Sequence, residues 1–357
     1  RGDLDPGSAV VQQFVLDYLT DVTMHEVGHT LGLRHNFRSS RVYNERQLSD
    51  REFTATRGLA GSVMEYAPIN LPRPGERGGT PFQTALGPYD YWAIEYAYKT
   101  FPPGTTPQQA REELLRIAAR SGEPDLAYGT DEDNFLGIDP ETLHFDLGDD
   151  PVAFAAKRIE IARDVIARQE TRVLKPEADY SVLRRSVNYA VRDAGRAAGI
   201  LARQIGGIRT LRDFPGSGRD PLVPVDAALQ RRALDVLARG VLAADSFRLS
   251  PALQRKLAPD FNERGEALFG GEGPVATDYS IIGIVLDMQR TLLAQLMSDG
   301  VASRLLDSEG KFERTAAGRT DAFRVSELYE RLTREVWSEL GGAADIPAPR
   351  RELQREH

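Results

Sequence analysis

Residues 25–35 read His-Glu-Val-Gly-His-Thr-Leu-Gly-Leu-Arg-His, the complete HExxHxxGxxH pattern. On a helix, His25 and His29 lie one turn apart, so both imidazoles leave the same face and can bind one metal ion. Gly32 permits a backbone conformation closed to residues with a Cβ atom, and the resulting turn brings His35 back as a third ligand. Glu26 then points beside the metal, where a general base takes a proton from water.

Three protein ligands leave one zinc position open, which is the catalytic rather than the structural arrangement. Because the chain has only five histidines in 357 residues, chance would produce the whole pattern in roughly one such chain in a hundred thousand. We therefore predict one catalytic Zn²⁺ ion bound by His25, His29 and His35. The alternative is a pair of ordinary helix histidines and a coincidence.

A second short stretch, residues 62–66, reads Ser-Val-Met-Glu-Tyr. A buried methionine next to a tyrosine is ordinary core when it stands alone. Together, however, HEVGHTLGLRHNF and SVMEY resemble the bacterial zinc-dependent metalloproteases called Met-zincins, within the metzincin clan, and Asn36 fits the residue that follows the third histidine there. The resemblance implies that Met64 lies in a Met-turn, a hydrophobic base under the three histidines.

The same resemblance implies a role for Tyr66, two residues after the methionine. It would contact the resting zinc or donate a hydrogen bond to the oxyanion of the tetrahedral intermediate. The alternative for Tyr66 is a buried core tyrosine.

Residues 86–98 resemble the helix that closes metzincin catalytic domains, and Tyr89, Trp92 and Tyr96 form an apolar stripe along it. Asp90 either ties this helix to the Met-turn backbone or satisfies the free N–H groups at the helix N-terminus.

Metzincin catalytic domains place a twisted β-sheet before the zinc helix, and an edge strand of that sheet pairs with the extended substrate. Only 24 residues precede His25 here, and they read as a turn followed by a helix. From Val11 to Val22, apolar residues recur at spacings of four and three. They form one helical face that leads to His25 and the metal site. We therefore expect a mainly α fold (α+β overall), with the upper β-sheet largely absent from this chain. The chain would be the C-terminal part of a longer protein, with an upstream region as its partner. The resemblance to Met-zincins implies an extracellular or periplasmic location.

Composition excludes several classes of function. The net charge of −8 is spread along the chain without a basic stripe, so nucleic acid is not an expected partner. The longest apolar runs fall well short of the roughly 20 residues that cross a bilayer, so no membrane span is expected. The absence of cysteine excludes disulfides and thiol catalysis.

Beyond these motifs, the sequence predicts only approximate domain bounds and helical stretches. Residues 1–105 read as the C-terminal portion of a metzincin-like catalytic domain, and residues 106–357 as a helical region. Helical periodicity is found at about 107–120, 151–173, 178–205, 225–243, 278–299 and 323–340. A short extended piece near 207–214 is a candidate strand. The charged residues 350–357 are expected to fray.

Two polar features receive less weight. The acidic stretch Asp131–Asp133 could bind Ca²⁺, but it does not match an EF-hand loop, and a solvated turn is the favoured interpretation. His144 stands alone in a polar loop and is interpreted as an ordinary surface histidine.

These observations predict a zinc-dependent peptidase, in particular an endopeptidase acting on a peptide or protein substrate. Glu26 is the expected general base, and zinc activates the attacking water. Two alternatives remain open. One is a zinc hydrolase of a non-protein amide, and the other is a binding module whose zinc site is structural. A fourth protein ligand would indicate the structural site.

Overall fold

The computed structural model describes residue 5 and residues 7–267, 276–313, 321–342 and 346–357. These residues are mostly helical, and the sheet found among them has two short strands. The predicted mainly α fold with little β-sheet is therefore confirmed. The chain divides into two compact units. We call them the motif unit (residues up to Phe154 together with Gly207–Val225) and the helical unit (Ala155–Gly206 together with Asp226–His357).

The motif unit contains the zinc signature and the 62–66 stretch. Its helices and strands in the described residues are α1 (Ala9–Thr30), α2 (Glu45–Ser49), α3 (Arg51–Arg57), α4 (Pro88–Tyr98), α5 (Pro107–Ala118), α6 (Asp131–Phe135), β1 (Ile208–Thr210) and β2 (Leu222–Pro224). The strands pair antiparallel, with Arg209 opposite Val223. The strand predicted near 207–214 is thus confirmed as β1. The motif unit extends beyond residue 105, where the sequence predicted a boundary between two domains. That boundary was placed from the positions of the motifs, and it stays a prediction.

Helix α1 carries the first two histidines, and both of its ends follow from the sequence. Ser8 caps the start, since its hydroxyl accepts a hydrogen bond from the Val11 N–H at 3.4 Å. The chain leaves the helix through Gly32, whose φ of 85° lies in the left-handed region that a Cβ atom disfavours. The predicted turn at Gly32 is therefore confirmed, and it directs the chain toward His35.

Many apolar residues of the first half of α1 are exposed among the described residues. Leu16 is 55% exposed, Tyr18 is 50% exposed and Leu19 is 52% exposed. Phe82, from the loop between α3 and α4, packs against part of this surface, with its ring centroid 4.9 Å from that of Phe14. An exposed apolar surface of this kind commonly marks an interaction site.

The core of the motif unit lies around the loops that follow the zinc signature. Tyr43, Leu48, Leu59 and Leu147 form its buried apolar cluster. Beside them, an Arg38–Asp139 ion pair of 2.7 Å is almost completely buried. The Asp139 carboxylate also accepts a hydrogen bond from the Thr210 N–H at 2.9 Å, and so joins the loop after His35 to β1.

The helical unit is built mainly from long helices with apolar faces. Helix α7 (Pro151–Glu170) leads into it, and its further helices in the described residues are α8 (Ser181–Gln204), α9 (Ala227–Leu237), α10 (Pro251–Gln254), α11 (Phe261–Ala267), α12 (Ile281–Leu296), α13 (Asp299–Glu309), α14 (Val325–Val336) and α15 (Ala348–Glu356). Helix α8 packs against α9 and α12, and α15 packs against α12 and α14. The predicted helical stretches are confirmed, with ends shifted by a few residues.

The expectation that residues 350–357 fray is wrong. They lie in α15, where Leu353 is fully buried and Arg350 is 4% exposed. The Arg350 guanidinium donates to the Leu242 carbonyl oxygen at 2.6 Å and pairs with Glu339. A single apolar residue in a charged stretch gives no amphipathic pattern, so only the packed structure reveals this helix.

Among the described residues, no single helix has both the length and the hydropathy needed to cross a membrane. Helices α12 and α13 reach those values only as a pair, with a bend of 41° between them.

Candidate metal centre

The three signature histidines converge in the structure. One nitrogen from each of His25, His29 and His35 lies within 4.8 Å of the others. His25 and His29 come from adjacent turns of α1, and His35 comes from the loop after Gly32. The ring centroids of His25 and His29 are 4.7 Å apart, and that of His35 lies 4.8 Å from His29. One ion can therefore contact all three rings, as the spacing predicted.

The hydrogen bonds of the histidines indicate which nitrogen faces the metal. The Nδ1 atoms of His25 and His29 lie 2.8 and 3.0 Å from the carbonyl oxygens of Val63 and Leu33. The His35 Nδ1 lies 2.9 Å from a carboxylate oxygen of Asp131. Because carbonyl and carboxylate oxygens only accept hydrogen bonds, each Nδ1 carries the proton.

The remaining ring nitrogens are consequently left with free lone pairs. Among the described residues, the Nε2 atom of His35 is buried and has no hydrogen-bond partner. A buried nitrogen without a partner is costly unless a ligand satisfies it. Burial also lowers the pKa of His25, which favours the neutral imidazole that binds metals. The site therefore fits a zinc ion with three imidazole ligands.

Glu26 follows His25 on α1, and its side chain is exposed to solvent. Burial lowers the pKa of His25, and the negative charge of Glu26 opposes this shift. Burial raises the pKa of Tyr66, and the same charge adds to the rise. The carboxylate is accessible to water on the residue next to a predicted ligand, and its role as a general base stays a prediction.

Met64 lies directly beneath the zinc helix. It is fully buried, and a Cβ atom placed on Gly28 would come within 2.3 Å of its sulfur. The Met64 carbonyl oxygen accepts a hydrogen bond from the Asn36 N–H at 2.9 Å, next to His35. The 62–66 segment thus supports both the helix and the loop that carry the histidines.

Tyr66 lies beside the histidines and is only partly buried. Its ring centroid is 5.2 Å from that of His25 and 4.6 Å from that of His35, and 37% of the residue is exposed. Burial raises the pKa of Tyr66, and the charges of Asp131 and Glu26 raise it further. The hydroxyl therefore stays protonated at neutral pH and can donate a hydrogen bond. An exposed edge at the metal centre argues against the interpretation as a core tyrosine.

Asp90, at the start of α4, makes both of the contacts considered from the sequence. Its carboxylate accepts from the Ser62 hydroxyl at 2.6 Å and from the Val63 N–H at 3.0 Å, and it also accepts from the Gly87 N–H at 2.8 Å. It therefore ties the helix to the 62–66 segment and caps the helix at the same time.

The apolar stripe predicted along α4 is only partly buried. Tyr89 is buried, whereas Tyr96, at the other end of the stripe, is 47% exposed.

Two further carboxylates, those of Glu65 and Asp146, are buried in the motif unit. Glu65 accepts hydrogen bonds from the Ser40 N–H at 2.9 Å and the Ser39 hydroxyl at 3.1 Å. Asp146 is 1% exposed. Burial raises the pKa of Asp146 to about 7, although Arg41 and Ser40 oppose the shift, and burial together with the charge of Asp146 raises the pKa of Glu65. Both groups therefore resist ionisation in the folded protein.

The interpretation of residues 131–133 as a solvated turn is wrong. They form the first turn of α6, and each carboxylate has a protein partner. Asp131 accepts from His35, Glu132 accepts from Arg34 at 2.7 and 2.8 Å, and Asp133 accepts from the Thr130 N–H at 2.9 Å. The spacing of Thr130 and Asp133 is a capping signal that could have indicated a helix here. Nothing in the sequence indicated the contact with His35, which is 96 residues away.

His144, interpreted from the sequence as an ordinary surface histidine, lies close to the metal centre. Its ring lies 4.1 Å from Phe37 and 5.6 Å from Tyr66, measured between centroids. The next residue, Phe145, has a φ of 61° and donates its N–H to the Tyr66 carbonyl oxygen at 3.1 Å. A left-handed conformation is unusual for a residue with a large side chain and tends to occur beside functional sites.

Comparison with known proteins agrees with this geometry. The family model described as Met-zincin matches residues 8–343, which include all three histidines, Glu26, Met64 and Tyr66. No curated protein and no solved structure matches the chain. Since the match covers most of the sequence, the chain belongs to the Met-zincin family.

Proposed function

We propose that this protein is a zinc-dependent endopeptidase that cleaves peptide bonds in peptide or protein substrates. One observation carries the proposal. All three histidines turn their protonated Nδ1 atoms outward, which leaves three Nε2 lone pairs for one ion. Among the described residues, no fourth histidine or carboxylate joins this group. An open position beside an accessible Glu26 favours a catalytic site over a structural one.

A bound zinc ion would supply Lewis acidity, lowering the pKa of water and polarising the substrate carbonyl group. Glu26 then accepts the proton of the attacking water and returns it to the leaving amine nitrogen. The Tyr66 hydroxyl donates a hydrogen bond to the substrate oxygen as negative charge develops there. Met64, beneath Gly28, takes the part of the Met-turn methionine and keeps the zinc helix in place.

The proposal includes an upstream region of the same protein, as the family resemblance implies. The exposed apolar residues of α1, among them Leu16 and Leu19, provide a surface on which a β-sheet can pack. An edge strand of that sheet would align an extended substrate across the metal centre. We further propose an extracellular or periplasmic location, as the family resemblance implies.

Cleavage of a quenched-fluorescent peptide mixture tests the proposal, with the zinc-loaded parent protein compared with Glu26→Gln. The variant keeps the shape of the side chain but cannot take a proton, so we expect its turnover to fall by about 10²–10⁴-fold with its zinc content unchanged. A chelator should abolish the activity of the parent.

Two results would contradict the proposal. Equal activity of the parent and Glu26→Gln would remove the general base. A parent that binds one zinc ion but cleaves no peptide, even with the upstream region present, would point to a non-protein amide substrate.

A further inference from the structure

Asp131 differs from the other groups that orient the ligands. The Nδ1 atoms of His25 and His29 donate to backbone carbonyl oxygens, whereas that of His35 donates to a charged side chain. We propose that Asp131 is a positioning residue that holds His35 for the metal and strengthens it as a ligand. The inference rests on the proposed zinc site and adds a residue outside both sequence motifs.

The contact between Asp131 and His35 has the geometry of a strong hydrogen bond. The His35 Nδ1 lies 2.9 Å from one carboxylate oxygen and 3.1 Å from the other. The side chains are 16% exposed for His35 and 31% exposed for Asp131. Partial burial reduces screening by solvent and strengthens a charge-assisted hydrogen bond.

Asp131 is itself held in place. The Thr130 hydroxyl donates to one of its oxygens at 3.2 Å, and the Arg34 guanidinium lies 3.7 Å from the same oxygen. Arg34 also binds both oxygens of Glu132. Two consecutive residues of the loop, Arg34 and His35, are therefore paired with two consecutive residues of α6. The contacts of Thr130 and Arg34 with Asp131 itself limit the freedom of its carboxylate.

The position of His35 in the chain explains why it needs this support. His25 and His29 are fixed by the backbone of α1, where the spacing of one turn aligns their rings. His35 follows the left-handed Gly32 and lies outside the helix, so no regular hydrogen bonding aligns its ring. A carboxylate partner fixes the tautomer and orientation of a ligating imidazole and makes its other nitrogen more basic.

Zinc affinity separates a positioning role from a merely structural one. Three proteins would be compared by competition with a chromophoric chelator: the parent, Asp131→Ala and Glu132→Ala. Glu132 is the matched control, because it joins the same two segments through Arg34 without contacting a histidine. We expect Asp131→Ala to bind zinc about 10–100-fold more weakly than the parent, as is typical for loss of such a partner. Glu132→Ala should bind it within about twofold, since an exposed ion pair contributes little.

The tautomer of His35 is a second readout, and it can be measured without bound metal or enzymatic activity. In the metal-free parent, ¹⁵N NMR of the imidazole should show His35 with its proton on Nδ1, and Asp131→Ala should show a mixture of tautomers. Asp131→Asn, which keeps an acceptor oxygen without the charge, should give an intermediate zinc affinity and serves if the alanine variant is unstable. A visible absorption spectrum of the Co²⁺ form should change in Asp131→Ala and not in Glu132→Ala.

The outcomes distinguish this inference from the proposed function. If the parent binds one zinc ion and Asp131→Ala binds it equally well with an unchanged tautomer, the pair is structural and the inference fails alone. If the parent binds no zinc, the proposed function fails and the inference with it. A weakened site in Asp131→Ala but not in Glu132→Ala supports the inference and the zinc site on which it rests.

Discussion

Two parts of the motif unit contribute to the metal centre in different ways. The motif region, residues 25–66, supplies the side chains proposed to bind the metal and to act on the substrate carbonyl group. The support segments, residues 86–98 and 126–149, supply groups that hold this region in place, among them Asp90 and Asp131. Metal binding and catalysis require particular residue types at particular spacings. A group that only holds such a side chain needs no more than a hydrogen-bond acceptor or a packing contact in the correct position.

This comparison implies different consequences of mutation. A change of a motif-region side chain proposed to contact the metal or the substrate should alter turnover or metal binding and leave the fold mostly intact. A change in a support segment, or at a packing residue of the motif region such as Gly28, should alter stability first, and activity only through the side chains that it holds. The four predictions below test that division, from the largest expected effect to the smallest.

Tyr66→Phe should reduce kcat by about 10²–10³-fold, equivalent to about 2.7–4 kcal/mol in the transition state, because it removes one donor to the developing oxyanion. Zinc content and melting temperature should stay near those of the parent. Steady-state kinetics with a cleaved peptide measures the effect, and Tyr91→Phe on the exposed side of α4 is the control. An unaltered kcat would return Tyr66 to a packing role.

Asp90→Ala should lower the free energy of unfolding by about 3 kcal/mol, because it leaves buried donors without an acceptor. The donors are the Ser62 hydroxyl and the N–H groups of Val63 and Gly87. Urea unfolding measures the loss, with Glu95→Ala on the same helix as the matched control. Equal stability of the two variants would show that Asp90 does not support the 62–66 segment.

Gly28→Ala should destabilise the protein by about 2 kcal/mol, since the added methyl group overpacks a filled space against Met64. The new Cβ atom would lie 2.3 Å from the Met64 sulfur. Combining it with Met64→Ala makes room for the methyl group, so a double-mutant cycle should show a favourable coupling between the two positions. Strictly additive effects would mean that the two residues do not meet.

The buried carboxylates predict the smallest effect, a dependence of stability on pH. The folded pKa of Asp146, about 7, lies above that of an unfolded aspartate, about 3.9. The stabilisation is therefore complete below pH 4 and is lost as the pH rises toward 7, because the unfolded state releases its proton first. Between pH 6 and 7 the parent should lose about 1 kcal/mol from this group.

Asp146→Asn cannot ionise and should lose less stability over the same pH interval. Urea unfolding at both pH values measures the difference in slope, and Asp149→Asn provides a neighbouring control. The same slope in the parent and in Asp146→Asn would show that Asp146 ionises normally in the folded protein.

The sequence alone was sufficient to predict that three histidines meet at one site and that the fold is mainly helical. His25 and His29 could be paired because a helix places residues one turn apart on one face, and Gly32 could be assigned a left-handed turn because it lacks a Cβ atom. The long helices could be recognised from the period of their apolar residues. All of these inferences depend on local geometry.

Tertiary structure decided how the ligands are held. The carbonyl oxygens of Val63 and Leu33 orient two of the histidines, and every residue carries such an oxygen, so no sequence pattern distinguishes them. Asp131 is one of many carboxylates in the chain, and its partner is 96 residues away. Spacing within a helix is fixed by the backbone, but contact between distant segments depends on how the whole motif unit packs.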